Sequence, residues 1–233
     1  MSEFDPQLAA LKKEMTIQGR RVLELCTQAV DCFFDSDTET AREVVMADEA
    51  IDKADVEIER SSVPLLAMGQ TDEHAIRCVL TMVKVNNELE RIADAGVTIA
   101  ERVFDPRTFK ERTPNTFRVM ANSVLGMLRD ATRSLEREDA GLARQVLLFD
   151  DTVERFKKEI LLDTEMQVES GAFSAGFAFR LLAVVKAVDR IADHSTNICE
   201  QVIYLRRGLI VRHRPDGWSD PESPESVGSN AKK

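Results

Sequence analysis

The chain has 233 residues, a formal net charge of -10, an aromatic content of 6% and only three histidines. An excess of carboxylates repels a phosphate backbone, and few aromatic rings are available to stack on bases, so nucleic acid is excluded as a partner. The four cysteines, Cys26, Cys32, Cys78 and Cys199, include no CxxC pair and suit neither a zinc-thiolate site nor a disulfide framework; each falls in an apolar helical pattern and is expected to be buried as a small hydrophobe.

Glycine and proline are scarce, at 10 and 7 residues, which favours long helices. The first is predicted from about Leu8 to Phe34, where Leu8, Leu11, Met15, Val22, Leu25, Ala29 and Cys32 return at steps of three and four. The acidic turn Asp35-Ser36-Asp37 ends it. The second runs from about Thr38 to Leu66. A third begins after an N-cap at Thr71 or Asp72 and continues to Val103, where Asp105-Pro106 stops it. Residues 105–113 form a polar linker, and Thr113-Pro114 reads as an N-cap followed by proline at the first helical position. Helices four to six are expected at about Pro114–Glu136, Asp139–Leu162 and Thr164–Arg207, with Gly171 and Gly176 inside the last. Past Gly208 the composition turns to proline, serine and charge, so residues 211–233, with the single tryptophan Trp218, are expected to be a disordered tail. The start, Met1 to Gln7, lacks the apolar core of a signal peptide, and no apolar run reaches the roughly 18 residues of a membrane span. The expectation is a cytoplasmic protein that meets a membrane only through partners.

The chain is also internally repeated. Val22-Leu23 matches Val124-Leu125, Ala29 matches Ala131, Asp37 matches Asp139, Ala41-Arg42 matches Ala143-Arg144, and Asp48 matches Asp150, all 102 residues on. At an offset of 99, Arg91-Ile92-Ala93-Asp94 matches Arg190-Ile191-Ala192-Asp193, and Ile99, Glu101 and Val103 match Ile198, Glu200 and Val202. Apolar periodicity alone does not reproduce polar residues in register, so the pattern reads as duplication. The fold class is therefore all-α, two tandem three-helix bundles related by internal duplication, over residues 1–106 and 107–210.

The third helix of each unit carries a carboxylate pair four residues apart, Glu90 with Asp94 and Asp189 with Asp193, projecting from one helical face. The second helix supplies another, Asp48 with Asp52 and Asp150 with Glu154. Like charges at this spacing repel, and a hard cation reverses the sign. If the two helices lie side by side, each unit gathers four carboxylates suited to iron, zinc, magnesium or manganese. Asp55, Glu57, Glu59 and Asp151 read as surface residues or alternate ligands, and Asn86 and Asn87 as solvated polar positions able to add carbonyl oxygens. Histidine is nearly missing from the stripes, so the Glu-x-x-His pattern of di-metal oxidases is not met. No phosphate loop, G-x-S-x-G elbow or HExxH motif is present. Three readings stay open on the residues alone: a metal-binding regulator, a di-metal helical-bundle enzyme, and a metal-free scaffold docking a basic partner.

Leu89-Glu90-Arg91-Ile92-Ala93-Asp94 and Val188-Asp189-Arg190-Ile191-Ala192-Asp193-His194, followed by Thr196-Asn197-Ile198-Cys199-Glu200, resemble the repeated E/D-x-x-x-D metal motif of the PhoU family. The resemblance covers nearly all of residues 8–208. It implies a non-enzymatic cytoplasmic regulator of phosphate uptake and phosphate-starvation signalling. The implied partners are the ATPase component of a phosphate ABC transporter, a phosphate-sensing histidine kinase and a second copy of the chain. The implied cofactor is a divalent or ferric ion, iron or zinc before magnesium or manganese. Glu90, Asp94, Asp189 and Asp193 carry over as ligands, with Asp48, Asp52, Asp150 and Glu154 behind them. Alanine replaces the family's usual glycine at Ala93 and Ala192, and its histidine is kept at His194 but is Ala95 in the first half, so the second half is closer to the pattern.

Overall fold

A computed structural model describes residues 3–69, 72–105 and 111–211. They form α1 (Phe4–Asp35), α2 (Thr38–Ala67), α3 (Glu73–Glu101), a 3-10 turn (Arg102–Phe104), α4 (Asn115–Arg137), α5 (Ala140–Glu169) and α6 (Ala175–Arg207). Of the expected tail, residues 211–233, only Val211 is described, and it is buried against the core; the rest, with Trp218, and the middle of the expected linker lie outside the described residues.

The duplication is visible in the turns. Ser36 and Glu138, 102 residues apart in sequence, both adopt positive φ, at 55° and 50°. The residue after each, Asp37 or Asp139, sends its own N–H back to the preceding helix, onto the Cys32 carbonyl at 2.9 Å and the Ser134 carbonyl at 2.8 Å. The same two aspartates then cap the next helix: Asp37 accepts from the Glu39 and Thr40 amides, and Asp139 from the Gly141 and Leu142 amides at 2.9 and 3.0 Å. One residue type thus closes one helix and opens another in both units. Asp139→Ala is expected to cost about 1 kcal/mol, read as a fall in Tm of about 2–4 °C; an unchanged melting curve would show that water serves those amides equally well.

Several helix ends differ from expectation; α1 begins at Phe4, ahead of the expected Leu8, and Phe4 is buried. Helix α5 continues through Asp163 and Thr164 to Glu169, because Thr164 is buried and satisfies its hydroxyl on the Ile160 carbonyl at 2.7 Å. The break falls instead at Ser170-Gly171, where Gly171 has a φ of 76°, so this glycine makes the turn and is not inside a helix. Pro114 has an extended ψ of 143° and is itself the N-cap residue, so α4 starts one residue later than the Thr113-Pro114 signal suggests. The Asp72 cap is as expected, accepting from the Ala75 amide at 2.9 Å.

Within the units, α2 packs on α1 and α3, and α5 on α4 and α6; the units meet through α3 against α6 and α1 against α4. The inner helices are therefore buried on several sides, as the Leu89, Ile92, Ile99, Leu181, Ile191 and Ile198 side chains show. A Cβ on Gly96 would lie 2.5 Å from Leu25 Cδ2 and 3.2 Å from Cys26 Sγ, so glycine here permits the close approach of α3 to α1. All four cysteines are buried and unbridged. Burial pushes the Cys26 and Cys199 thiols far up and Cys32 to about 11, leaving them as packing residues. No helix among the described residues is long and apolar enough to cross a membrane.

Candidate metal centre

The α2–α3 seam brings together the first unit's predicted carboxylates. Asp48 is held above the ordinary carboxylate range by burial and then by the charges of Asp52 on its own helix and Asp94 on α3. Burial also raises Glu90, and Asp94, Asp55 and Asp52 add to it against the opposing Arg91. These groups therefore share one field. Among the described residues no three His, Cys, Asp or Glu side chains converge on one point as ligands round an ion do; the carboxylates stand apart, as like charges do.

Two residues that the spacing argument left at the margin organise this seam. Asn86, expected to be solvated, is 3% exposed. Its amide donates to the backbone carbonyl of Asp55 at 2.9 Å and to Asp55 Oδ1 at 2.7 Å, fixing Asp55 against α3. The Oδ1 of Asn86 and the Oε2 of Glu90 are buried without hydrogen-bond donors. Buried acceptors of this kind need a partner, and two hard oxygens beside several carboxylates suit a hard cation. Arg91 lies over the rim, its Nε 3.2 Å from Glu90 Oε2 but out of line for a hydrogen bond, and its Nη1 3.6 Å from Asp94. Its side chain is 49% exposed and free to turn outward at small cost.

The α5–α6 seam gathers Asp150, Glu154, Asp189 and Asp193, with a different centre. Burial raises Asp150 to about 6, reinforced by Asp193, Asp151, Asp189 and Glu154, and Asp193 is raised by burial and by Asp189. Lys157, however, reaches from α5 to α6 and places Nζ 3.0 and 3.1 Å from the two Asp189 oxygens and 2.5 Å from Glu154 Oε2. Its hydrogen bond holds Glu154 below the ordinary range. The first unit offers only oxygen donors, the kind a hard cation takes, although no three of its carboxylates converge; in the second an ammonium already holds two of the four expected ligands.

His194 does not turn into the acidic seam. Its Nδ1 lies 2.7 Å from Glu88 Oε2 on α3, and Asn197 donates to the same oxygen at 3.0 Å, fastening one unit to the other. Spacing arguments missed this link because it is unrepeated. The counterparts of Glu88 and His194 in the other half, Ala187 and Ala95, are both alanine and both buried. Departures from the internal repeat are the signal that marks Glu88, and the same holds for Lys157.

Six helices in two copies of one three-helix unit, with carboxylates along the seam of each copy, define a duplicated all-α bundle protein. The PhoU domain model matches residues 16–103 and 117–202. The chain belongs to the PhoU family, whose members are phosphate-transport accessory and regulatory proteins and not enzymes. It is 28% identical over 207 residues to the phosphate-specific transport system accessory protein PhoU homolog 1 of Thermotoga maritima, covering 88% of this chain and 89% of that one. It is 30% identical over 220 residues to the PhoU homolog of Pseudomonas aeruginosa, covering 91% and 88%. The crystal structure of PhoU from Pseudomonas aeruginosa superposes with a TM-score of 0.82 at 27% identity, over 89% of this chain and 100% of that chain. PhoU from Streptococcus pneumoniae, a phosphate transport system regulatory protein, shares the fold at a TM-score of 0.84 and 24% identity, over 91% and 100%.

Proposed function

We propose that this chain is a cytoplasmic metal-binding adaptor that regulates phosphate uptake and phosphate-starvation signalling, acting as a homodimer through contacts with the ATPase component of a phosphate ABC transporter and with a phosphate-sensing histidine kinase. The observation that carries the reading is the α2–α3 seam, where carboxylates of two helices and two buried oxygens without donors coincide in a chain of this family. Glu90, Asp94, Asp48 and Asp52, with Asp55 and Asn86 beside them, would hold an iron or zinc ion, or magnesium or manganese. Bound there, the ion supplies positive charge that cancels the repulsion between the two helices. Asp150, Glu154, Asp189 and Asp193 are the corresponding candidates of the second unit.

Protein contacts fall to the outer helices. Among the described residues, helices α2 and α5 make their main contacts within their own units and expose Met46, Val63, Leu148 and Leu162, apolar side chains suited to a protein surface. The test is capture of the tagged chain from phosphate-replete cells, with metal analysis of the complex. Recovery of the transporter ATPase or the kinase, with metal that is lost from a Glu90→Ala, Asp94→Ala double variant of unchanged helical content, is the expected result. Recovery of neither protein would overturn the regulatory assignment, and metal retained by the double variant would overturn the site.

A further inference from the structure

We infer that the two carboxylate seams of this chain are not equivalent: the α2–α3 seam accepts metal, whereas the α5–α6 seam is closed to it by a resident cation, the ammonium of Lys157. The inference rests on the metal reading above and assigns it to one half. Residues 55 and 157 are the same position of the repeat, 102 apart, and residues 86 and 185 are the same position at the offset of 99. The first unit has Asp55 hydrogen-bonded to Asn86 there. The second has Lys157 and Val185, the latter buried and unable to hold a carboxylate. Both members of the pair change together, so the second seam has lost an acidic ligand with its positioning residue and gained a cation.

The geometry makes Lys157 more than a surface charge. Its side chain is 26% exposed and lies between carboxylates of two helices, with Asp189 itself 20% exposed. Arg91 also lies on the first seam, 3.2 Å from Glu90 Oε2 and 3.6 Å from Asp94 Oδ2, but its side chain is 49% exposed and stays on its own helix, whereas Lys157 is 26% exposed and bridges two helices. A divalent ion entering the α5–α6 seam would have to expel an ammonium bonded to Asp189 and Glu154, then bind a set with fewer carboxylates. At the α2–α3 seam it would meet two oxygens without a hydrogen-bond donor, Asn86 Oδ1 and Glu90 Oε2, and would have to displace only the exposed Arg91 from the latter. The motif match favours the second half; the side chains around it favour the first.

The test titrates the chelator-stripped full chain with Mn2+, reading stoichiometry by elemental analysis and location by paramagnetic broadening of backbone amide signals. Wild-type protein is expected to broaden around residues 48–55 and 86–94 and to leave residues 150–157 and 189–193 sharp. Lys157→Ala removes the resident cation at a partly exposed position, and its stoichiometry is expected to rise about twofold as the second set broadens. Asp55→Lys imports the cation into the first seam and is expected to weaken uptake there by at least about tenfold, with circular dichroism confirming helical content. Broadening of both seams in the wild-type chain, or a Lys157→Ala stoichiometry equal to wild type, overturns the inference and leaves the metal reading standing. No Mn2+ uptake by any of the three chains overturns both.

Discussion

Replacing Phe117 by alanine is expected to lower the unfolding free energy by about 3–5 kcal/mol, a large share of the roughly 5–15 kcal/mol that holds a domain together. Phe117 lies in the first turn of α4, is fully buried, and stacks on two rings of α1: Phe33 edge-on at 6.1 Å between centroids and Phe34 tilted at 5.4 Å. Arginines close the cluster, Arg118 lying 4.3 Å over Phe34 and Arg180 5.1 Å over Phe33. The three rings thus pin the end of the first unit's α1 to the start of the second unit's α4. Truncation removes the ring and leaves a cavity between elements whose backbones are fixed by their other contacts, so collapse is incomplete. Phe117→Leu, which conserves much of the volume, is expected to cost under about 1.5 kcal/mol. Urea denaturation of both variants checks this; equal losses for Ala and Leu would show that the edge-on ring geometry, and not volume, holds the junction.

The helices were readable because most of the chain obeys one rule at a time. Apolar residues at steps of three and four marked the buried faces, and Asp72 marked a helix start with a side chain suited to the exposed amides, a role that Asp37 and Asp139 also take in the structure. The failures occurred where two roles compete. A helix boundary was expected at Thr164; buried, its hydroxyl bonds backward to Ile160 and α5 runs on to a glycine that can take positive φ. In the candidate site, four-residue spacing found the carboxylates that share a face but could not rank the seams. That ranking depends on Asp55, Asn86 and Lys157, which act across from one helix to another. A sequence pattern confined to one helix carries no information about what the neighbouring helix places opposite it. Comparison of the two halves does carry some: position 55 against 157, and 88 with 194 against 187 with 95, are places where the halves disagree in charge, and each is used in an interhelical contact.

Asp150→Asn is expected to stabilise the metal-free chain near neutral pH and to leave it unchanged in acid. The Asp150 carboxyl faces Asp189 and Asp193 from α6 and Asp151 and Glu154 on its own helix, while the ammonium of Lys157 is engaged by Glu154 and Asp189. Burial and those charges lift it from 3.8 to about 6, so the folded chain binds this proton more tightly than the unfolded chain does. Stability therefore falls as pH rises from about 4 to about 6, and the whole penalty is present above about pH 6. Two pH units correspond to about 3 kcal/mol as an upper bound, and solvent access to a half-buried carboxyl reduces this to about 1–2 kcal/mol. Asparagine keeps the shape and removes the charge. With chelator present, urea denaturation at about pH 7.5 should give the variant the higher midpoint, and the difference should vanish at about pH 4, where Asp150 is protonated in the folded chain. Equal stability at both pH values would show that Asp150 is solvated like any surface carboxylate. A stabilisation of the same size at both would show that the gain comes from packing and not from charge. At the α2–α3 seam, the one inferred to accept metal, a bound cation reverses the sign, because the charge that costs stability in the empty seam is the charge that draws the ion in. By that argument a variant that removes a raised carboxylate from the empty α2–α3 seam, such as Glu90→Gln, stabilises that seam and also weakens its hold on metal.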